Sequence, residues 1–121
     1  MNLRVSKMGG LLHSLAVAKR CREMGLALIV GAQVGETSLL TRAALIVAQA
    51  ARDIVIGQEG AFGTMLLESD AMQPMLMFGA KGTLDINSLR LDQTPGFGLM
   101  PVPDLAKRYL KHWAEESVRG D

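Results

Sequence analysis

Apolar and polar positions alternate over residues 2–7, with Leu3 and Val5 on one side and Arg4 and Ser6 on the other. A period of two predicts a strand, and Gly9-Gly10 closes it. The period then lengthens. In LLHSLAVAKRCREM, Leu11, Leu15, Ala18 and Cys21, with Leu12 and Met24 beside them, form a stripe at helical spacing, while Lys19, Arg20, Arg22 and Glu23 fall mostly off it. Gly25 stands at the place of a residue just past a helix end. LALIVGA (26–32) is a continuous apolar run, the pattern of a strand buried on both faces. The loop QVGETS offers Thr37 or Ser38 as an N-cap. LLTRAALIVAQAA predicts a second helix, rich in small apolar residues and therefore closely packed. DIVIG (53–57) predicts a third buried strand, and QEGAFG a glycine-rich loop.

The order is thus β-α-β-α-β with short connections, which implies an α/β fold, a parallel sheet and right-handed crossovers. The regular part covers residues 1–70, and residues 71–121 form a less regular tail. In that tail PMLMFGA and NSLRL are expected as short strands and DQTPGFGLMP as a Pro/Gly turn. Pro103-Asp104 opens a last amphipathic helix with Leu105, Tyr109, Leu110 and Trp113 on its apolar side.

Composition narrows the function classes. The 121 residues suffice for one domain with a moderate core. The net charge of +1 is spread along the chain, so neither nucleic acid nor an acidic membrane is an expected partner. The single cysteine, Cys21, cannot form an internal disulfide, which fits a reducing, cytoplasmic compartment. No signal peptide is read at the N-terminus. The apolar runs fall far short of the ~18 residues of a membrane span. Eight methionines are read as filler of irregular core space.

In parallel β/α proteins ligands bind beyond the carboxyl ends of the strands. That rule selects Arg4, Ser6 and Lys7, then Gln33 and Glu36, then Gln58 and Glu59. His13 and His112 are expected as solvated helix residues and Cys21 as an ordinary buried thiol. No Ser-His-Asp set, CxxC pair, Walker loop or HExxH motif occurs. Gly9-Gly10 before a helix could cradle a phosphate, but a tight turn explains two glycines as well.

The ordered set carried by NLRVSKMGGLLHSLAVAKRCREMGLALIVGAQVGETSLLTRAALIVAQAA resembles the C-terminal part of the enolase superfamily, more narrowly the mandelate racemase and muconate lactonizing enzyme group. An ionisable residue stands five positions before the first glycine of a K-x-G-G turn. A helix, a G-x-x-x-x-E-[ST]-S-like loop and a small-residue helix follow, then Glu59, the turn Phe62-Gly63 and a late PGFG. The resemblance covers residues 1–70 closely and the tail loosely. It implies a partial TIM-type (β/α) barrel of about three β/α units, with residues 2–7, 26–32 and 53–57 on the sixth, seventh and eighth strands. A complete barrel takes ~250 residues, so the chain is expected to be the C-terminal portion of such an enzyme. The family binds Mg²⁺ through carboxylates on its third to fifth strands and carries a K-x-K acid/base motif on its second. None of these is in this chain, so no metal ligand is assigned. The partners the resemblance implies are a small carboxylate substrate and the missing N-terminal barrel and capping domain.

Within that family the position of Arg4 holds a Lys that moves a proton, or an Asp paired with a His on the next strand. Arginine keeps its proton at any ordinary pH, and the seventh strand ends in GAQVGE without a histidine. Arg4 is therefore expected to stabilise a developing enolate or clamp a second carboxylate of a diacid substrate, or else to form a structural ion pair inside the barrel. Glu59 resembles the carboxylate at the end of the eighth strand, a catalytic candidate, with a loop-stabilising acceptor as its alternative. Gln33 is a substrate-facing candidate. Glu36 is placed beside it, although a capping role at the second helix fits it better than catalysis. Lys7 is expected opposite Arg4, toward the helices.

Three functions accommodate these features. One is the C-terminal piece of a Mg²⁺-dependent enzyme that abstracts a proton alpha to a carboxylate, as a racemase, cycloisomerase or dehydratase, inactive by itself. The second is a non-catalytic α/β partner module that pairs with another chain. The third is a small phosphate-binding α/β domain. Exposed strand edges in the first two would make the chain self-associate.

Overall fold

The alternating residues at the start of the chain form β1 (Asn2–Arg4), and the next apolar run forms β2 (Leu28–Gly31). The two are parallel, with Asn2, Leu3 and Arg4 opposite Ile29, Val30 and Gly31. Between them runs α1 (Leu11–Glu23). After β2 come α2 (Ser38–Ala50) and β3 (Val55–Gln58), which pairs parallel to β2 with a register shift between Leu28 and Ile29. The sheet order is β1-β2-β3. This computed structural model describes residues 1–86, 93–105 and 107. The α/β architecture with a three-stranded parallel sheet is as the periodicity predicts.

One face of the sheet carries the core. Leu3, Val5, Leu28 and Val30 pack against Ala18 and Cys21 of α1 and against Ala43, Ala44 and Val47 of α2. Burying each of the larger side chains is worth ~1.5–3 kcal/mol. Helix α1 ends where Gly25 predicts. Gly25 adopts φ 66°, its N–H donates to the Arg22 carbonyl, and the Leu26 N–H reaches back to the Cys21 carbonyl at 2.9 Å. This double closure needs a left-handed residue, which glycine supplies without a Cβ penalty. Nearby, Arg22 clamps Asp53 with Nε and Nη2 at 2.6 and 2.7 Å and also donates to the Ala50 carbonyl, joining the C-terminal ends of α1 and α2. That bidentate contact holds the Asp53 carboxyl at a pKa of about 2, below its ordinary 3.8, and raises that of Arg22.

Several expectations are corrected. The first strand stops at Arg4 rather than residue 7 because its ladder partner ends at Gly31. The Arg4 carbonyl instead accepts the Lys7 and Met8 N–H groups at 3.0 and 3.1 Å, and Val5 accepts those of Met8 and Gly10. The chain therefore curls after Val5, and alternation no longer places Lys7. On α1 the buried face is Ser14, Ala18 and Cys21. Leu12 and Met24 are 80% and 58% exposed. Ser14 can be buried because its hydroxyl donates to the Gly10 carbonyl at 2.8 Å. The strands are not buried on both faces. Leu28 and Val30 are fully covered, but Ile29 is half-buried and Ile56 is 72% exposed.

In the tail, PMLMFGA is not a strand. Short α3 (Gly63–Leu66) precedes β4 (Met72–Gln73), and a 3₁₀ turn covers Ala80–Gly82. The Leu76 N–H donates to Ser38 Oγ at 2.7 Å instead of to a neighbouring strand. Leu76 is itself buried beside Leu99, under Leu45, Met72 and Leu84. The Pro/Gly segment bends as expected over residues 93–98, with the Phe97 carbonyl accepting Arg42 Nε, and leads into β5 (Met100–Pro101), antiparallel to β4. Backbone at 103–105 is helical, as Pro103-Asp104 predicts. The expected strand NSLRL, together with Tyr109, Leu110, His112 and Trp113, lies outside the described residues. Among the described residues no helix is long and apolar enough to cross a membrane.

Candidate functional site

The parallel register sets Arg4 beside Gly31 at the carboxyl ends of β1 and β2. Strand alternation puts Asn2 and Arg4 on the face opposite the buried Leu3. On that face Asn2 Nδ2 donates to Glu59 Oε1 at 3.0 Å, and the Ala32 N–H donates to Glu59 Oε2 at 3.3 Å. Glu59 follows directly on β3, so its carboxylate bridges all three strands. Gly31 makes the bridge possible. A Cβ there would collide with Asn2 Oδ1 and stand 3.0 Å from Glu59 Oε2.

Arg4 is half-buried, and among the described residues its guanidinium makes no hydrogen bond or ion pair. The structure therefore brings the two catalytic candidates, Arg4 and Glu59, to either side of Gly31. Asn2 belongs with them and was not singled out in the sequence, although it shares Arg4's strand parity.

Glu36 behaves differently from its expected capping role. It is buried, and its Oε1 accepts the Ser6 hydroxyl at 2.7 Å. The N-cap of α2 is Thr37, which makes no side-chain cap bond. Asp70 serves that helix end instead. Its Oδ2 accepts the Ser38 N–H at 2.9 Å and the Ser38 hydroxyl at 2.6 Å, and its Oδ1 accepts the Met72 N–H. A carboxylate at a helix N-terminus is favoured by the backbone dipole. Glu36 precedes the N-cap and is turned toward the curl after β1, which leaves that place to Asp70.

The remaining candidates are more peripheral. Gln33 is exposed, with its carbonyl accepting the Glu36 N–H at 3.3 Å. Lys7 and His13 are exposed, and Cys21 is a buried free thiol. Gln58 pairs in register with the buried Val30, and its Nε2 is buried with no hydrogen-bond partner among the described residues.

Chemically, the strand-end cluster offers a fixed cation, Arg4, that can hold an anion, and a carboxylate, Glu59, that can accept or carry a proton. Among the described residues no three His, Cys, Asp or Glu side chains gather to hold a metal ion, so this set does not fit a Mg²⁺ site by itself. No protein family, no curated protein and no solved structure matches the chain in comparison.

Proposed function

We propose that this chain supplies the last three β/α units of an enolase-type (β/α) barrel, with β1, β2 and β3 as its sixth to eighth strands. The observation that carries this proposal is the polar cluster on a sheet face that the helices leave uncovered: Arg4 in register with Gly31, and Glu59 held across Gly31 by Asn2. A parallel β/α barrel uses that place, the carboxyl ends of its strands, for chemistry.

The reaction class is proton abstraction alpha to a carboxylate. A Mg²⁺ ion, held by other strands of such a barrel, would supply charge stabilisation at the reacting carboxylate. Among the described residues no cluster of carboxylates, histidines or cysteines would hold it. Arg4, permanently charged, clamps a substrate carboxylate or stabilises developing negative charge, and it does not exchange protons. Glu59 is the proton-carrying group on this side of the site, and Asn2 and the Ala32 N–H fix its orientation. Gln33 is left for substrate contact, whereas Glu36 is engaged by Ser6. By itself the chain is expected to show no racemase, cycloisomerase or dehydratase activity.

Sequencing the reading frame upstream of Met1 tests this assignment. An in-frame continuation with a K-x-K strand followed by three strand-end carboxylates is expected. Unrelated upstream sequence would remove the enzyme assignment and leave a non-catalytic α/β partner module.

A further inference from the structure

Phe62 and Lys81 are the two non-glycine residues with positive φ among the described residues, at 53° and 65°. Bulky side chains rarely adopt this conformation, and where a fold imposes it the position is often functional. Both residues line the same cavity, of about 410 Å³, between the loop after β3 and the turn at Ala80–Gly82. Phe78 and Met65 complete its apolar wall. Gly60 lets the Phe78 ring lie flush, since a Cβ there would come within 2.9 Å of that ring. The volume falls within the ~300–1,000 Å³ of small-molecule sites. Its walls combine two aromatic rings and a thioether, which suit a flat aromatic body.

The charge of the lining is one-sided. Among the described residues that line the cavity, Lys81 is the charged one and none is a carboxylate. Lys81 is exposed, and among the described residues its ammonium makes no hydrogen bond or ion pair. Phe62 and Met65 are 68% and 78% exposed, so the apolar wall is reachable from solvent. None of Asn2, Arg4, Glu36 or Glu59 lines the cavity. The cavity thus adjoins the strand-end cluster through Gly60, which follows Glu59, without being lined by it.

We propose that this cavity binds a small aromatic carboxylate, its ring against Phe62, Met65 and Phe78 and its carboxylate on Lys81. The two left-handed residues would then be the two that contribute most to binding. This does not depend on the chain belonging to an enolase-type barrel.

Equilibrium dialysis of the full chain against 2-naphthoate, with neutral 2-naphthalenemethanol in parallel, tests it in any association state. Saturable one-to-one binding of naphthoate is expected, with the neutral analogue about fivefold weaker, a ratio in keeping with one exposed charge pair. Lys81→Gln should weaken naphthoate about fivefold and leave the neutral analogue unchanged. Phe62→Gly should weaken both about tenfold while melting no lower than the wild type, because glycine accepts the left-handed backbone. Lys81→Gly should lose naphthoate like Lys81→Gln and also keep its melting temperature. Absence of saturable binding at millimolar naphthoate would overturn the proposal, as would equal binding of the two probes or indifference to both Lys81 substitutions.

Discussion

Asn2 Nδ2 and Glu59 Oε1 meet at 3.0 Å across Gly31, which has no side chain to keep them apart. The atoms a Cβ at Gly31 would strike are the free ends of two exposed side chains. Gly63 is the opposite case. A Cβ there would stand 2.8 Å from the Glu36 carbonyl oxygen, a backbone atom, as well as against Met77. Gly31→Ala should therefore displace Asn2 and Glu59 at a cost to folding of less than about 1 kcal/mol. Gly63→Ala should cost about 1–3 kcal/mol through overpacking. Denaturant unfolding of the two variants checks the order, and equal losses would mean that the Gly31 site is as rigid as the Gly63 site.

Ser38 Oγ both donates to Asp70 and accepts the Leu76 N–H. Ser38→Ala removes an acceptor from a buried amide, so a loss of about 1–3 kcal/mol is expected. Ser38→Thr, which keeps the hydroxyl, should recover part of it. The measurement is the shift of the unfolding midpoint, and a loss under about 0.5 kcal/mol would mean that Leu76 finds another acceptor.

How far these contacts could be read from sequence depends on their range. Local patterns gave the element order, because burial on one sheet face forces the spacing of Leu3, Val5, Leu28, Val30 and Val47. The Gly25 helix end was equally legible, since one residue carries it. The end of β1 was not, because it is set by where β2 stops supplying partners. The α2 cap was not, because Asp70 lies 32 residues from Ser38 and nothing local marks it. In the candidate site, strand ends pointed to Arg4 and Glu59. The bridging Asn2 and the turning of Glu36 toward Ser6 depend on contacts 57 and 30 residues apart.

The Arg22–Asp53 clamp gives a pH dependence with a definite sign. Asp53 is depressed from 3.8 to about 2 in the folded chain. Its contribution is thus complete above 3.8 and is lost as pH falls through about 2. Arg22, shifted upward, stays charged throughout that window. Asp53→Asn should melt below the wild type at about pH 5, and the gap should close by about pH 2. Added salt should narrow the gap at about pH 5, because the pair is exposed. A gap that persists at low pH would assign it to something other than the carboxylate charge.

Gln58 Nε2 is a buried donor with no partner among the described residues. Gln58→Met keeps the length of the side chain and removes the unsatisfied group, so the variant should be more stable by about 1 kcal/mol. A lower melting temperature would show that the amide is satisfied in solution and takes part in the strand-end region.

The barrel assignment has its most direct test in the association state of the chain. Among the described residues β1 and β3 are the edge strands of the parallel sheet. The face carrying Asn2, Arg4 and Glu59 is not packed by α1 or α2, and Ile56 is 72% exposed. Unpaired parallel edges and uncovered apolar residues favour intermolecular pairing. Each large apolar side chain left in water forfeits ~1.5–3 kcal/mol against a domain stability of only ~5–15 kcal/mol. Sedimentation velocity at micromolar concentration should show the chain as oligomers or aggregates, the outcome that the proposed barrel assignment predicts. A single monomeric species that unfolds cooperatively would contradict this and identify the sheet as a complete small domain.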